Sequence, residues 1–61
     1  MTALSIIVPV LDEAAGITAT LSALAPLRAA GHQVIVVDGG SRDATATLAA
    51  PLADAVLHGE R

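Results

Sequence analysis

Apolar residues concentrate in two short runs, residues 4–10 (LSIIVPV) and residues 34–37 (VIVV). Both runs are rich in β-branched residues and show no alternation with polar ones. Runs of this kind are typical of buried strands in parallel sheets, where both faces are covered. A weaker run at residues 55–58 predicts a third strand.

The segment between the first two runs has helical spacing. Ile17, Leu21 and Leu24 recur at i, i+4 and i+7 and form one apolar stripe. The helix is predicted to begin at Asp12 or Glu13, because the helix dipole favours acids in the first turn.

Prolines and glycines set the remaining predicted boundaries. Pro26 should end or kink the first helix, leaving a last turn that stops at Gly31. A second helix is predicted over residues 42–49, with Ser41 as its N-cap and Pro51 closing it.

The β-α-β-α-β order predicts an α/β, Rossmann-like fold with parallel strands and right-handed crossovers. If the strands lie side by side in chain order, both crossovers run in one direction and place both helices on the same face. Strands without polar alternation are normally covered by other elements on both faces of the sheet. With both helices on one face, the other face of this sheet would be left uncovered. We interpret the chain as an incomplete part of a larger fold. The alternative is that another copy of the chain covers the bare face.

Size and composition agree with an incomplete unit. A chain of 61 residues without cysteine or aromatic residues has no disulfide and none of the side chains that usually dominate a core. An apolar content of 54% with only 15% charged residues is nevertheless the opposite of the composition of a disordered chain.

The net charge and the hydropathy of the chain limit the classes of binding partner and the cellular locations that we expect. A net charge of −3 argues against nucleic acid and anionic membranes as partners of this segment. No apolar run is long enough for a transmembrane segment, and the first residues lack the positive charges of a secretory signal. The cytoplasm is therefore the default expectation.

Acidic residues gather where the predicted strands end. Open parallel α/β sheets bind ligands outside the carboxyl ends of their strands. Five of the six acids lie in the three loops predicted at that edge: Asp12, Glu13, Asp38, Asp43 and Glu60. Favourable positions at helix N-termini explain three of them, Asp12, Glu13 and Asp43, equally well.

Asp38 is harder to explain structurally, because it follows an apolar strand directly. A carboxylate there can accept hydrogen bonds from ribose hydroxyls or a base N–H. The next two residues, Gly39 and Gly40, permit either close ligand approach or simply a tight turn. Several acids would repel a diphosphate unless a divalent cation bridges them. His32 and His58 are interpreted as solvated loop histidines.

The sequence does not match three other motifs that are typical of nucleotide-binding or phosphate-handling proteins. The first loop, PVLDEAAG, lacks the glycines of a dinucleotide-binding G-x-G-x-x-G motif. A P-loop needs a lysine, and the chain has none. A haloacid-dehalogenase-like phosphatase needs an acid where Val36 stands.

Two motifs together, PVLDE (residues 9–13) and VDGGSRD (residues 37–43), resemble the start of family 2 glycosyltransferases with a GT-A fold. Those enzymes open with a strand ending in P-x-x-N-E and follow a second strand with D-D-G-S-x-D. The resemblance covers residues 4–61 and implies a portion of a three-layer GT-A domain. The VDGGSRDAT form is similar to a bacterial branch associated with radical-SAM and selenoprotein neighbours.

The resemblance implies that Pro9, Glu13 and Asp38 line the nucleotide pocket, with Asp38 facing the base. Asp43 would support the turn that follows. The predicted nucleotide-binding set consists of Pro9, Glu13, Asp38, Gly39, Gly40 and Asp43.

The chain departs from the family pattern at three positions. Asp12 replaces the usual Asn, Leu11 stands where an aromatic residue often packs against the base, and Gly39 replaces the second Asp of D-D-G-S.

The implied activity is transfer of a sugar from a nucleoside diphosphate sugar to an acceptor hydroxyl, with Mg²⁺ or Mn²⁺ in the full-length enzyme. Residues 1–61 would be the N-terminal nucleotide-sugar-binding portion. The family's D-x-D motif is absent from the sequence, so we expect no catalytic or metal-binding residue in the chain and no activity of the chain alone. Two alternatives remain: a non-enzymatic, self-associating α/β module, and a generic nucleotide binder.

Overall fold

Strands and helices alternate through residues 3–59, the part of the chain that this computed structural model describes. The elements within it are β1 (Ser5–Val10), α1 (Ile17–Ala23), α2 (Ala25–Ala29), β2 (Gln33–Asp38), α3 (Thr45–Ala49), a 3-10 turn (Ala50–Leu52) and β3 (Ala55–His58).

The strands of residues 3–59 form one parallel sheet in the order β1-β2-β3. Val10 of β1 is the register partner of Asp38 in β2, and Asp38 is the register partner of His58 in β3. The last residues of all three strands therefore lie in one row. This topology confirms the predicted α/β fold with strands in chain order.

The core lies between the helices and one face of the sheet. Its buried apolar members are Val10, Ile17, Leu21, Val34, Val36, Ala49 and Ala53. On the other face Ile7 and Leu57 keep 56% and 54% of their surface exposed. In the described part of the chain no element covers this second face, which we call the uncovered face. The one-sided arrangement predicted from the topology is confirmed.

The predicted start of the first helix is wrong. α1 begins at Ile17, and Asp12 and Glu13 belong to a loop. Asp12 has a φ of +50°, a left-handed conformation that cannot continue into a right-handed helix. The two acids predicted for the first turn of the helix therefore lie in the loop that precedes it.

The predicted interruption at Pro26 is confirmed. α1 ends before Leu24, and Pro26 occupies the first turn of α2, where its missing N–H costs nothing. Gly31, at a φ of +97°, closes α2 in a Schellman motif. Its N–H donates to the Arg28 carbonyl at 3.0 Å, and the His32 N–H donates to the Leu27 carbonyl at 3.0 Å.

The second helix is shorter than predicted, and Ser41 does not cap it. α3 begins at Thr45 rather than Arg42. The Ser41 hydroxyl instead accepts a hydrogen bond from the Asp12 N–H at 2.9 Å. Strand β2 is one residue longer than predicted at each end, so Asp38 is its last residue.

Side chains at the amino end of the sheet also hold strands together. The Asp54 carboxylate accepts the Val34 N–H at 2.7 Å and forms a salt bridge with Arg28 at 3.2 Å. The Val34 N–H and the Arg28 guanidinium hold the pKa of Asp54 below its usual value. His32 lies in the loop before β2, is half-buried, and accepts the Leu4 N–H on Nδ1 at 3.1 Å, so this loop histidine also makes a structural contact.

Membrane insertion was not expected from the sequence. Within residues 3–59 no helix has the length and apolar character needed to cross a bilayer.

Candidate functional site

The loops that follow β1 and β2 start side by side at the carboxyl edge of the sheet. The Gly39 N–H donates to the Val10 carbonyl at 2.9 Å, and the Gly59 N–H donates to the Asp38 carbonyl at 2.8 Å. We call residues 11–16 the first loop and residues 39–44 the second loop. Glu60, which the sequence placed at the same edge, lies outside the described residues.

Asp38 is built into the turn that follows it. Its Oδ1 accepts the Gly40 N–H at 3.1 Å and the Ser41 N–H at 2.8 Å, and only 3% of the residue is exposed. The Ser41 hydroxyl, followed by these N–H groups, lowers the pKa of Asp38 and keeps it charged. Since Oδ1 is committed to the turn, a ligand contact is left to Oδ2. Contact with a base stays a prediction.

Hydrogen bonds join the first loop to the second loop and the start of α3. We call the four found within residues 3–59 the inter-loop clasp: Asp12 N–H to Ser41 Oγ at 2.9 Å, Glu13 N–H to Thr45 Oγ1 at 2.8 Å, Ala14 N–H to Asp43 Oδ2 at 3.3 Å, and Arg42 N–H to Asp12 Oδ1 at 2.8 Å. Three consecutive N–H groups of the first loop are therefore satisfied by side chains from beyond β2.

Asp43 connects the clasp to helix α3. Its Oδ1 accepts the Thr45 N–H at 3.0 Å and the Thr45 hydroxyl, while Oδ2 reaches Ala14 in the first loop. The Thr45 hydroxyl is the main cause that lowers the pKa of Asp43. Both oxygens are thus used inside the protein, which gives a geometric basis for the expected role of Asp43 in supporting the turn.

Glu13 presents its carboxylate to solvent, while its backbone is held firmly. The Glu13 carbonyl accepts the N–H groups of Gly16 at 2.9 Å and Ile17 at 2.8 Å, which starts α1. The side chain is exposed and, within residues 3–59, forms no hydrogen bond. Of the predicted acids within residues 3–59, Glu13 is therefore the one whose two carboxylate oxygens are both free to meet a ligand.

The predicted site residues Pro9, Gly39 and Gly40 occupy different surroundings. Pro9 is exposed in β1, in line with Ile7 on the uncovered face. Gly40 has a φ of +103°, whereas Gly39 lies outside the left-handed region. A Cβ added at Gly39 would meet the Val10 carbonyl oxygen at 3.6 Å, an ordinary contact. The backbone therefore requires glycine at position 40 but not at position 39.

The charges at this edge do not form a metal site by themselves. Within residues 3–59 no group of three His, Cys, Asp or Glu side chains is placed to hold a metal ion. The Asp38 and Asp43 carboxylates are already engaged by N–H and hydroxyl groups. These residues do not fit a Mg²⁺ or Mn²⁺ ion without further ligands.

Acid should destabilise the fold. Asp38, Asp43 and Asp54 all have a pKa lowered from the usual 3.8. Their stabilising effect is therefore present above pH 3.8 and is lost as the pH falls through their lower folded values. We expect the unfolding temperature to decline progressively as the pH falls below about 4. Thermal unfolding followed by circular dichroism from pH 7 to pH 2 measures this, and Asp54→Asn should flatten the decline. A stability that rises on acidification contradicts it.

The hydrogen bonds that Ser41 and Thr45 make to the first loop were not predicted from the sequence. The signal available was a dense group of Ser, Asp and Thr after Gly40, a composition that favours side-chain hydrogen bonds to nearby backbone. That composition indicates a turn, but it does not identify the first loop as the partner.

Comparison with curated proteins and with solved structures finds no match. The family model described as Glycosyl transferase family 2 matches residues 5–61. The match begins at the first residue of β1 and includes both loops of the clasp. It favours neither a non-enzymatic module nor a nucleotide binder outside the transferases, and it does not distinguish branches within the family. The chain belongs to glycosyl transferase family 2.

Proposed function

We propose that the carboxyl edge of the sheet binds the nucleotide of a nucleoside diphosphate sugar. The protein would use this donor to transfer a sugar to an acceptor hydroxyl. The observation that carries the proposal is the pairing of two acids of different character at one edge. Asp38 is buried and fixed at the end of β2, and Glu13 is exposed in a loop tied to the same region.

The carboxylates of Asp38 and Glu13 can accept hydrogen bonds from the donor groups of a nucleoside. Ionised carboxylates only accept hydrogen bonds, and ribose hydroxyls and base N–H groups are the donors that a nucleotide offers. Asp38 Oδ2 and the Glu13 carboxylate provide such acceptors. Gly39 places no side chain next to Asp38, although the backbone conformation at position 39 does not demand glycine.

The diphosphate needs a different environment from the nucleoside. Asp12, Glu13, Asp38 and Asp43 make the edge acidic, and within residues 3–59 the hydrogen-bond donors of the exposed Arg42 and His58 side chains lie near it. The diphosphate would therefore lie towards these groups. The resemblance to the family implies a Mg²⁺ or Mn²⁺ ion. Because residues 3–59 lack a suitable group of ligands, no step of the proposal depends on a metal.

Nucleotide titration of matched variants tests the proposal. Asp38→Asn keeps an Oδ1 acceptor for the turn and changes Oδ2, and Glu13→Gln changes an exposed side chain. We expect each to weaken the binding of a nucleoside diphosphate by about tenfold, the scale of one hydrogen bond to a charged group. Isothermal titration calorimetry with the diphosphates of uridine, guanosine, adenosine and thymidine measures this.

Asp54→Asn is the control, because it removes the same charge from the opposite end of the sheet. Its affinity should match that of the unmodified chain at a temperature where both are folded. If no diphosphate binds at about 1 mM, or if all three variants bind like the unmodified chain, the proposal is wrong. Inactivity of the chain alone, a cytoplasmic location and the radical-SAM-associated branch stay predictions.

A further inference from the structure

A fully buried hydroxyl connects the exposed acid Glu13 to the second loop. Thr45 is 0% exposed, so no ligand can touch it. Its Oγ1 accepts the Glu13 N–H at 2.8 Å, and its hydroxyl hydrogen is donated to Asp43 Oδ1. Buried hydroxyls are costly unless they are hydrogen-bonded, and this one uses both of its capacities.

The backbone of Glu13 depends on this contact. On its carbonyl side it is fixed by the first turn before α1, through Gly16 and Ile17. On its N–H side the partner is Thr45 Oγ1, in a partly buried position. Without that oxygen the N–H must reach water, and the loop has to move to let it do so. The direction of the exposed Glu13 side chain would move with it.

We propose that Thr45 is a positioning residue for donor binding, which holds the Glu13 carboxylate at the sheet edge through the Glu13 N–H. This inference rests on the proposed function, since it assigns Glu13 to the nucleotide. It separates residues that contact the donor from residues that act through them. Asp43 belongs to the second kind, because both of its carboxylate oxygens are used on Thr45 and Ala14.

Two substitutions of similar volume test the hydroxyl. Thr45→Val removes Oγ1 and keeps the shape, and Thr45→Ser keeps the hydroxyl and removes the methyl group. We expect Thr45→Val to weaken nucleoside diphosphate binding by about tenfold and Thr45→Ser to stay within about twofold of the unmodified chain. Equal affinities of the two variants overturn the proposal.

A double-mutant cycle with Glu13→Gln distinguishes positioning from a general loss of structure. If Thr45 acts through Glu13, Thr45→Val should cause little further loss of affinity in a Glu13→Gln background. If the loss of affinity in the double variant equals the product of the fold-losses in the two single variants, the inference is overturned. Hydrogen exchange in the unmodified chain gives a second test that needs no variant to fold. The Glu13 amide should be protected, and rapid exchange overturns the inference.

The outcomes separate this inference from the proposed function. If Glu13→Gln weakens binding and Thr45→Val does not, the proposed function survives and the positioning role is lost. If the unmodified chain binds no nucleoside diphosphate, both are overturned.

Discussion

Replacing Leu21 with alanine should leave most of the chain unfolded at 25 °C. Leu21 is 1% exposed and packs in the core that α1 forms against the sheet. Removing a leucine side chain from such a site costs about 2–5 kcal/mol. A core of this size rarely supplies more than about 3–5 kcal/mol, and the chain has no cysteine for a disulfide and no aromatic residue to add to it. The loss is comparable to the whole stability.

Urea unfolding followed by circular dichroism measures the effect. Leu48→Ala is the matched control, because Leu48 also lies on a helix but keeps 38% of its surface exposed. Its cost should stay below about 1 kcal/mol. Equal transition midpoints for the two variants would show that Leu21 is not at the centre of the core.

Gly40→Ala should be the second most damaging of these changes. At a φ of +103° a residue with a Cβ is strained, and such conformations cost about 1–3 kcal/mol. The strain falls on the turn that Asp38 closes through the Gly40 N–H. Because about 1 kcal/mol shifts the midpoint of a small domain by roughly 4–8 °C, the loss is readily measured by thermal unfolding.

Gly39→Ala provides the comparison at the neighbouring position. Its Cβ would meet ordinary contacts at 3.6 Å and 4.0 Å, and its φ is not left-handed, so we expect a change below about 0.5 kcal/mol. If the two alanine variants unfold at the same temperature, the turn does not require glycine at position 40.

The strands could be predicted because their signal is local. The runs IIV and VIVV are apolar on both faces, and the structure places them side by side with the helices on one face. The exposure of Ile7 and Leu57 follows from the same reasoning, since crossovers in one direction cannot cover both faces. The predicted concentration of acids at one edge depended only on this topology.

The helix starts could not be predicted, because their signal is not local. Asp12 and Glu13 look like first-turn acids, yet their N–H groups bond to Ser41 and Thr45, residues 29 and 32 positions away. An acid that precedes an apolar stripe is a local pattern that predicts the start of a helix. This pattern carries no information on hydrogen-bond partners that are distant in the sequence and become neighbours only in the folded chain. The role of Asp54 could not be predicted for the same reason, because its carboxylate accepts the N–H of Val34, which is distant in the sequence.

The strand order has a consequence for which groups of residues 3–59 can contact a ligand at this edge. In doubly wound sheets a crevice opens where neighbouring connections depart to opposite faces. In residues 3–59 the order β1-β2-β3 never reverses, so helices do not wall the edge from both sides. Within these residues, a nucleotide would be contacted by the polar groups of the two loops and not by helices on both sides of it.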